Sequence, residues 1–190
     1  VALTTNGSGN ATFDNGTLNL DLAASNVGGN LTLTSGASAG ITDSGTVTVA
    51  GNLVATTDAN NGVIDLGTTT VTGTMDLTTN GSGNVTIDNA TTDIVLIASE
   101  IGGNLTLTTG NASGITDTGT VTVGGNLVAT TDANNGVITL DSMAVDGTFT
   151  LAPNSTGAVT IVNDAGLNLA ASTMGGTFSG TATTGDITDS

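Results

Sequence analysis

Gly28-Gly29-Asn30-Leu31-Thr32-Leu33-Thr34 returns 74 residues later as Gly102-Gly103-Asn104-Leu105-Thr106-Leu107-Thr108. Gly51 to Gly62 returns letter for letter at Gly125 to Gly136, and Leu3 to Asn10 matches Leu77 to Asn84. Self-similarity at a fixed period marks a repeat architecture. The 190 residues therefore read as one continuous array: a partial copy 1–28, full copies 29–102 and 103–175, and a partial copy 176–190.

A shorter period lies inside each copy. Gly29, Gly51 and Gly73 are spaced by 22, as are Gly103, Gly125 and Gly147, with steps of 30 and 29 leading on to Gly103 and Gly176. Two residues after these glycines stand Leu31, Leu53, Met75, Leu105, Leu127, Phe149 and Phe178. Twelve after them stand Ile41, Val63, Val85, Ile115, Val137 and Val159. The apolar columns alternate with Thr, Asn and Asp, the two-residue period of a half-buried strand. Thr, Val, Gly and Asn are weak helix formers, and Asn80-Gly81-Ser82-Gly83 and Asp58-Ala59-Asn60-Asn61-Gly62 are turn sequences.

Constant columns at about 22 residues predict an all-β fold, a parallel β-solenoid whose coils stack like on like. Eight coils at roughly 4.8 Å would make a rod of about 40 Å. The 30-residue steps predict a longer coil every third turn. Leu18, Leu20 and Leu22 alternate there, as do Ile94, Leu96 and Ala98, adding a short strand that either widens the coil or folds outward. The alternative fold is a tandem array of β-sandwiches, which gives no reason for identical 22-residue columns.

Composition excludes several functions. The chain has no Lys, Arg, His or Cys, 16 acidic residues and a formal charge of −16. Without cations it has nothing to neutralise phosphates, so neither nucleic acid nor an anionic membrane surface is an expected partner. No apolar run is long enough to span a bilayer, so no membrane insertion is expected. Ser/His or Cys/His nucleophile pairs and ordinary zinc sites are ruled out by residue type. At 37% hydrophobic the chain can still bury a core. It begins at Val1 without a charged and apolar leader, which reads as an interior or processed piece of something longer.

Three segments carry a family likeness: Val47 to Leu53, Ile101 to Leu107, and Gly114-Ile115-Thr116-Asp117-Thr118-Gly119. They resemble the strand repeats of filamentous-haemagglutinin-like proteins, which are giant secreted bacterial surface proteins. The resemblance covers essentially the whole chain. It implies a β-solenoid shaft and a place outside the cell or on its surface.

Four chemistries were weighed on the residues. An enzyme would need a carboxylate pair, with no Arg, Lys or His to assist, and Phe13, Phe149 and Phe178 read as core rather than as a substrate platform; no enzyme activity is expected. Calcium could be held by Asp58 and Asn60 with Asn61, repeated as Asp132 and Asn134 with Asn135, or by Asp43 and Asp65. Against it, these turns lack the spacing of known calcium loops and read better as Asx turns, with Asn80 and Asn154 interleaving Asp58 and Asp132. Asp43 and Asp65 are expected in one column of neighbouring coils, about 4.8 Å apart, with both carboxylates swung to solvent. Ice could be met by a ladder of Thr34, Thr56, Thr78, Thr108 and Thr130, but its partner column is broken by Val54, Asp76 and Val128. Asn-x-Thr/Ser sequences at Asn30, Asn84 and Asn104 follow from the abundance of Thr.

A structural role is therefore expected: the shaft of a secreted or surface adhesin, or the subunit of an extracellular filament. The runner-up is a calcium-dependent or ice-directed binding module. The expected partners are other copies end to end, or flanking repeats of the same chain.

Overall fold

Alternating Leu-Thr and Val-Thr segments give short strands, and Gly/Asn turns bend the chain between them. In the computed structural model, which describes all residues from Val1 to Ser190, these features build a parallel β-solenoid of 23 strands without a helix. Every strand pairing is parallel. Eleven strands form one large sheet, nine form a second and three form a third. The nine-stranded sheet is crossed once per coil, so eight turns separate Leu20–Leu22 from Ile187–Asp189. At about 4.8 Å per turn the rod is about 40 Å long.

The alternation works as the sequence predicts. In Leu31–Ser35, Leu53–Thr57 and Met75–Thr79 the burial pattern is buried, intermediate, buried, intermediate, buried. Leu31 lies against Leu53 and Leu53 against Met75, while Leu33, Ala55 and Leu77 form the next inward column. Thirty-six buried apolar residues make one continuous core. Phe149 is fully buried within it, Phe13 is partly buried, and Phe178 is 40% exposed on the last coil.

The 30-residue step does not produce a longer coil. Met75 lies against Leu96 of the next coil, not against Leu105. Leu105 instead lies against Val85, and Val85 against Ile64, in the nine-stranded sheet. The segment Ile94–Leu96 neither widens the coil nor protrudes, because it and Ser99–Ile101 together cover Met75–Thr79. Paired residues stay 19 to 23 apart along the whole rod, from Phe178 on Val159 to Ile64 on Ile41. The extra residues shift the phase: each 74-residue copy begins on the other large sheet. Leu31–Ser35 belongs to the eleven-stranded sheet, Leu105–Thr109 to the nine-stranded one, and Phe178–Ala182 to the eleven-stranded one again.

Two devices make this switch. The first is a second Gly-Asn corner in each copy, Gly9-Asn10 and Gly83-Asn84, onto which Gly29-Asn30 and Gly103-Asn104 stack. The second is a buried asparagine. The three-stranded sheet stops at Thr69–Val71, where Asn89 replaces a fourth strand. Its Oδ1 accepts from Val71 N–H at 2.7 Å and its Nδ2 donates to Val71 O at 3.0 Å, as a strand backbone would. Asn163 does the same for Val145, 74 residues on.

Candidate functional site

The repeated corner is the most constant chemistry on the surface. Asn10 Oδ1 accepts from Asn30 N–H, Asn30 Oδ1 from Asn52 N–H, and Asn52 Oδ1 from Thr74 N–H, at 2.8 to 3.0 Å. A second ladder runs Asn84, Asn104, Asn126 to Thr148. The glycine before each asparagine makes room for it. A Cβ at Gly51 or Gly125 would collide with the Oδ1 of Asn30 or Asn104 and lie 2.8 Å from the carbonyl oxygen of Gly29 or Gly103. The 22-residue glycine spacing is thus the footprint of a side-chain ladder. Asn30, Asn84 and Asn104, singled out above for Asn-x-Thr, are three of its rungs. The recurrent Gly-Asn pair was the signal that could have found it.

The turn candidates occupy equivalent positions on different sheets. Asp58 and Asp132 are exposed. Asn60 and Asn61 have φ of 56° and 54°, and Asn134 and Asn135 repeat those values. This left-handed region is one that Asn enters more easily than most residues. Asn60 Nδ2 donates to Gly36 O at 2.6 Å and Asn134 Nδ2 to Gly110 O at 2.6 Å. Each asparagine therefore ties its turn to the preceding coil rather than capping its own backbone. Asn154 does lie a coil along from Asp132, donating from Nδ2 to the Asp132 carbonyl at 3.2 Å. Asp58 and Asp132 thus border turns whose amides already serve coil-to-coil hydrogen bonds.

Asp43 and Asp65 do not stack. Ile41 pairs with Ile64 and Thr42 with Asp65, one residue off the expected column. The cause is the turn 58–63, which has one residue more than the turn 36–40. Asp65 is exposed, but Asp43 is half-buried. The Asp43 carboxylate accepts from Gly67 N–H at 2.8 Å and from the Thr68 hydroxyl, capping the bend of the next coil. The two acids border one shallow depression with Thr42, Gly67 and Thr68.

The same slip moves Asp117, expected opposite Thr139, since Thr139 pairs with Thr116. Asp117 is the 74-residue counterpart of Asp43 and accepts from Asp141 N–H at 2.8 Å and Ser142 N–H at 2.9 Å. Burial pushes its carboxyl above the usual range; the nearby Asp141 charge adds to this, and the two N–H groups work against it. Burial likewise raises Asp76.

No group of three acidic side chains stands at metal-ligating spacing. A groove of about 370 Å³ runs past Thr68, Thr70, Asp88, Ala90 and Asp132, where the three-stranded sheet ends. The threonine ladder divides between sheets. Thr34, Thr56 and Thr78 share one, while Thr108 and Thr130 lie on the other beside Asp88.

A family model described as Repeats of unknown function (DUF5649) matches residues 8–66, 82–152 and 156–190. The chain belongs to this family. Its three matches begin at intervals of 74 residues, so the family's unit is the copy that switches sheets. No curated protein and no solved structure matches the chain.

Proposed function

We infer that this DUF5649 array is a structural element, the rod-like shaft of a secreted or cell-surface protein such as an adhesin, or a subunit of an extracellular filament. One observation carries the reading: the conserved chemistry of the repeat is spent on holding coils together. The asparagine ladders, the capping carboxylates of Asp43 and Asp117 and the buried Asn89 and Asn163 all bond to neighbouring coils. Stacked backbone ladders give stiffness along one axis, and uniform negative charge opposes side-by-side clumping. A non-enzymatic role fits a chain whose only side chains titrating below neutral pH are carboxylates.

A shaft of this kind must be reachable from outside. Antibodies raised against the 190-residue chain should label intact producing cells, or recover the protein from their medium. Labelling that requires permeabilised cells, with none in the medium, overturns the reading.

A further inference from the structure

The most exposed large apolar side chains are Val1, Leu18, Phe178 and Ile187, and all four lie on the first or last coil. Phe178 and Ile187 extend the inward columns of Val159 and Leu167 and are exposed because no coil covers them. Each end also carries two strands with one unpaired backbone edge. These are Ala11–Asp14 and Leu20–Leu22 at one end, and Phe178–Ala182 and Ile187–Asp189 at the other.

The two ends match in register. From the first residue of the strand in the eleven-stranded sheet to that in the nine-stranded sheet is nine residues at both ends, Ala11 to Leu20 and Phe178 to Ile187. Both strand pairs therefore close together, as they do between adjacent coils within the chain. Phe178 would meet Ala11 and Ile187 would meet Leu20, extending both core columns. Thr181 would face Asp14, Thr188 would face Asp21 and Asp189 would face Leu22, so no carboxylate is laid on another. The third face fits as well. Val1–Thr5 lies ahead of Ala23–Asn26 there, bonded through Val1 O and Thr5 N–H, while Ser190 N–H ends the last coil on Leu169 O, short of that face.

We propose that the 190-residue chain docks head to tail on a second copy of itself, the last two strands of one molecule pairing in parallel with the first two of the next. The contact joins different surfaces of the two copies, so it repeats and builds a fibre along the rod axis. It rests on end-face geometry and stands apart from the cell-surface reading, which labelling tests.

Sedimentation velocity over a concentration series is the test. The unmodified chain is expected to form oligomers that lengthen with concentration, seen by electron microscopy as rods in multiples of about 40 Å. Ile187→Asp places a charge on one end face, and Thr12→Pro blocks the edge strand of the other. Each variant alone should be monomeric with an intact β circular-dichroism spectrum, and an equimolar mixture should give dimers, because each supplies the end the other lacks. Val1→Asp replaces Thr12→Pro if that spectrum is lost. A chain that stays monomeric at every concentration overturns the proposal, and so does a folded single variant that still associates by itself.

Discussion

Gly125 and Gly67 make opposite demands on a methyl group. At Gly125 it would strike the Asn104 rung and the Gly103 carbonyl, whereas at Gly67 it would meet nothing within 4 Å. Gly125→Ala should cost about 2–3 kcal/mol through overpacking. Gly67→Ala should be neutral or gain about 0.5 kcal/mol by restricting the unfolded chain. Urea denaturation of the two variants reads the difference, and equal effects would sink the ladder explanation. Ala90 supplies a second residue-scale test. It holds φ at 47°, where its counterpart one copy earlier is Gly16 at 55°. Both follow an Asp whose carboxylate accepts their N–H, Asp88 and Asp14. Ala90→Gly should therefore stabilise by about 1 kcal/mol, the cost of a Cβ in the left-handed region. A lower denaturation midpoint would contradict this.

Among the elements, the short strands were legible and their order was only partly so. Leu31, Leu53 and Met75 fall in one column because two steps of 22 keep the chain on one sheet. The column fails at Leu105, since aligning on glycine assumes that a copy stays on one face. The contrary signal was present in Gly9-Asn10 and Gly83-Asn84, a second corner that starts a new ladder. The Asp43/Asp65 slip was hidden differently. Its cause is one extra residue between two glycines whose spacing stays 22, absorbed where Asn60 and Asn61 both turn left-handed. Asn89 and Asn163 were not legible, because a polar residue after a strand reads as a turn until the missing fourth strand is seen. Asn163→Leu should cost more than about 2 kcal/mol, since it orphans the buried N–H and C=O of Val145 as well as Gly166 O. Thermal unfolding measures it, and a wild-type midpoint would show that the amide does not end the sheet.

At the scale of the whole molecule, charge and switching set the behaviour. Asp76 and Asp117 hold their protons more tightly folded than unfolded. Stability they contribute is fully present below the ordinary carboxylate range and is lost as pH rises through their raised folded values. The melting temperature should therefore rise on acidification from pH 7 towards that range, and falling self-repulsion among 16 acids acts in the same direction. A melting temperature that drops steadily over that interval would contradict this.

The central claim is that successive copies exchange sheets, and the absence of native cysteine makes it directly measurable. In this fold Thr106 pairs with Thr86, whereas an uninterrupted column would set it beside Asp76. Neighbouring parallel strands lie about 4.8 Å apart, within reach of a disulfide. Under mild oxidation, Thr86→Cys with Thr106→Cys should cross-link within one molecule, and Asp76→Cys with Thr106→Cys should not. Closure of the second pair and not the first would mean that the copies stack in phase and the sheets are not exchanged.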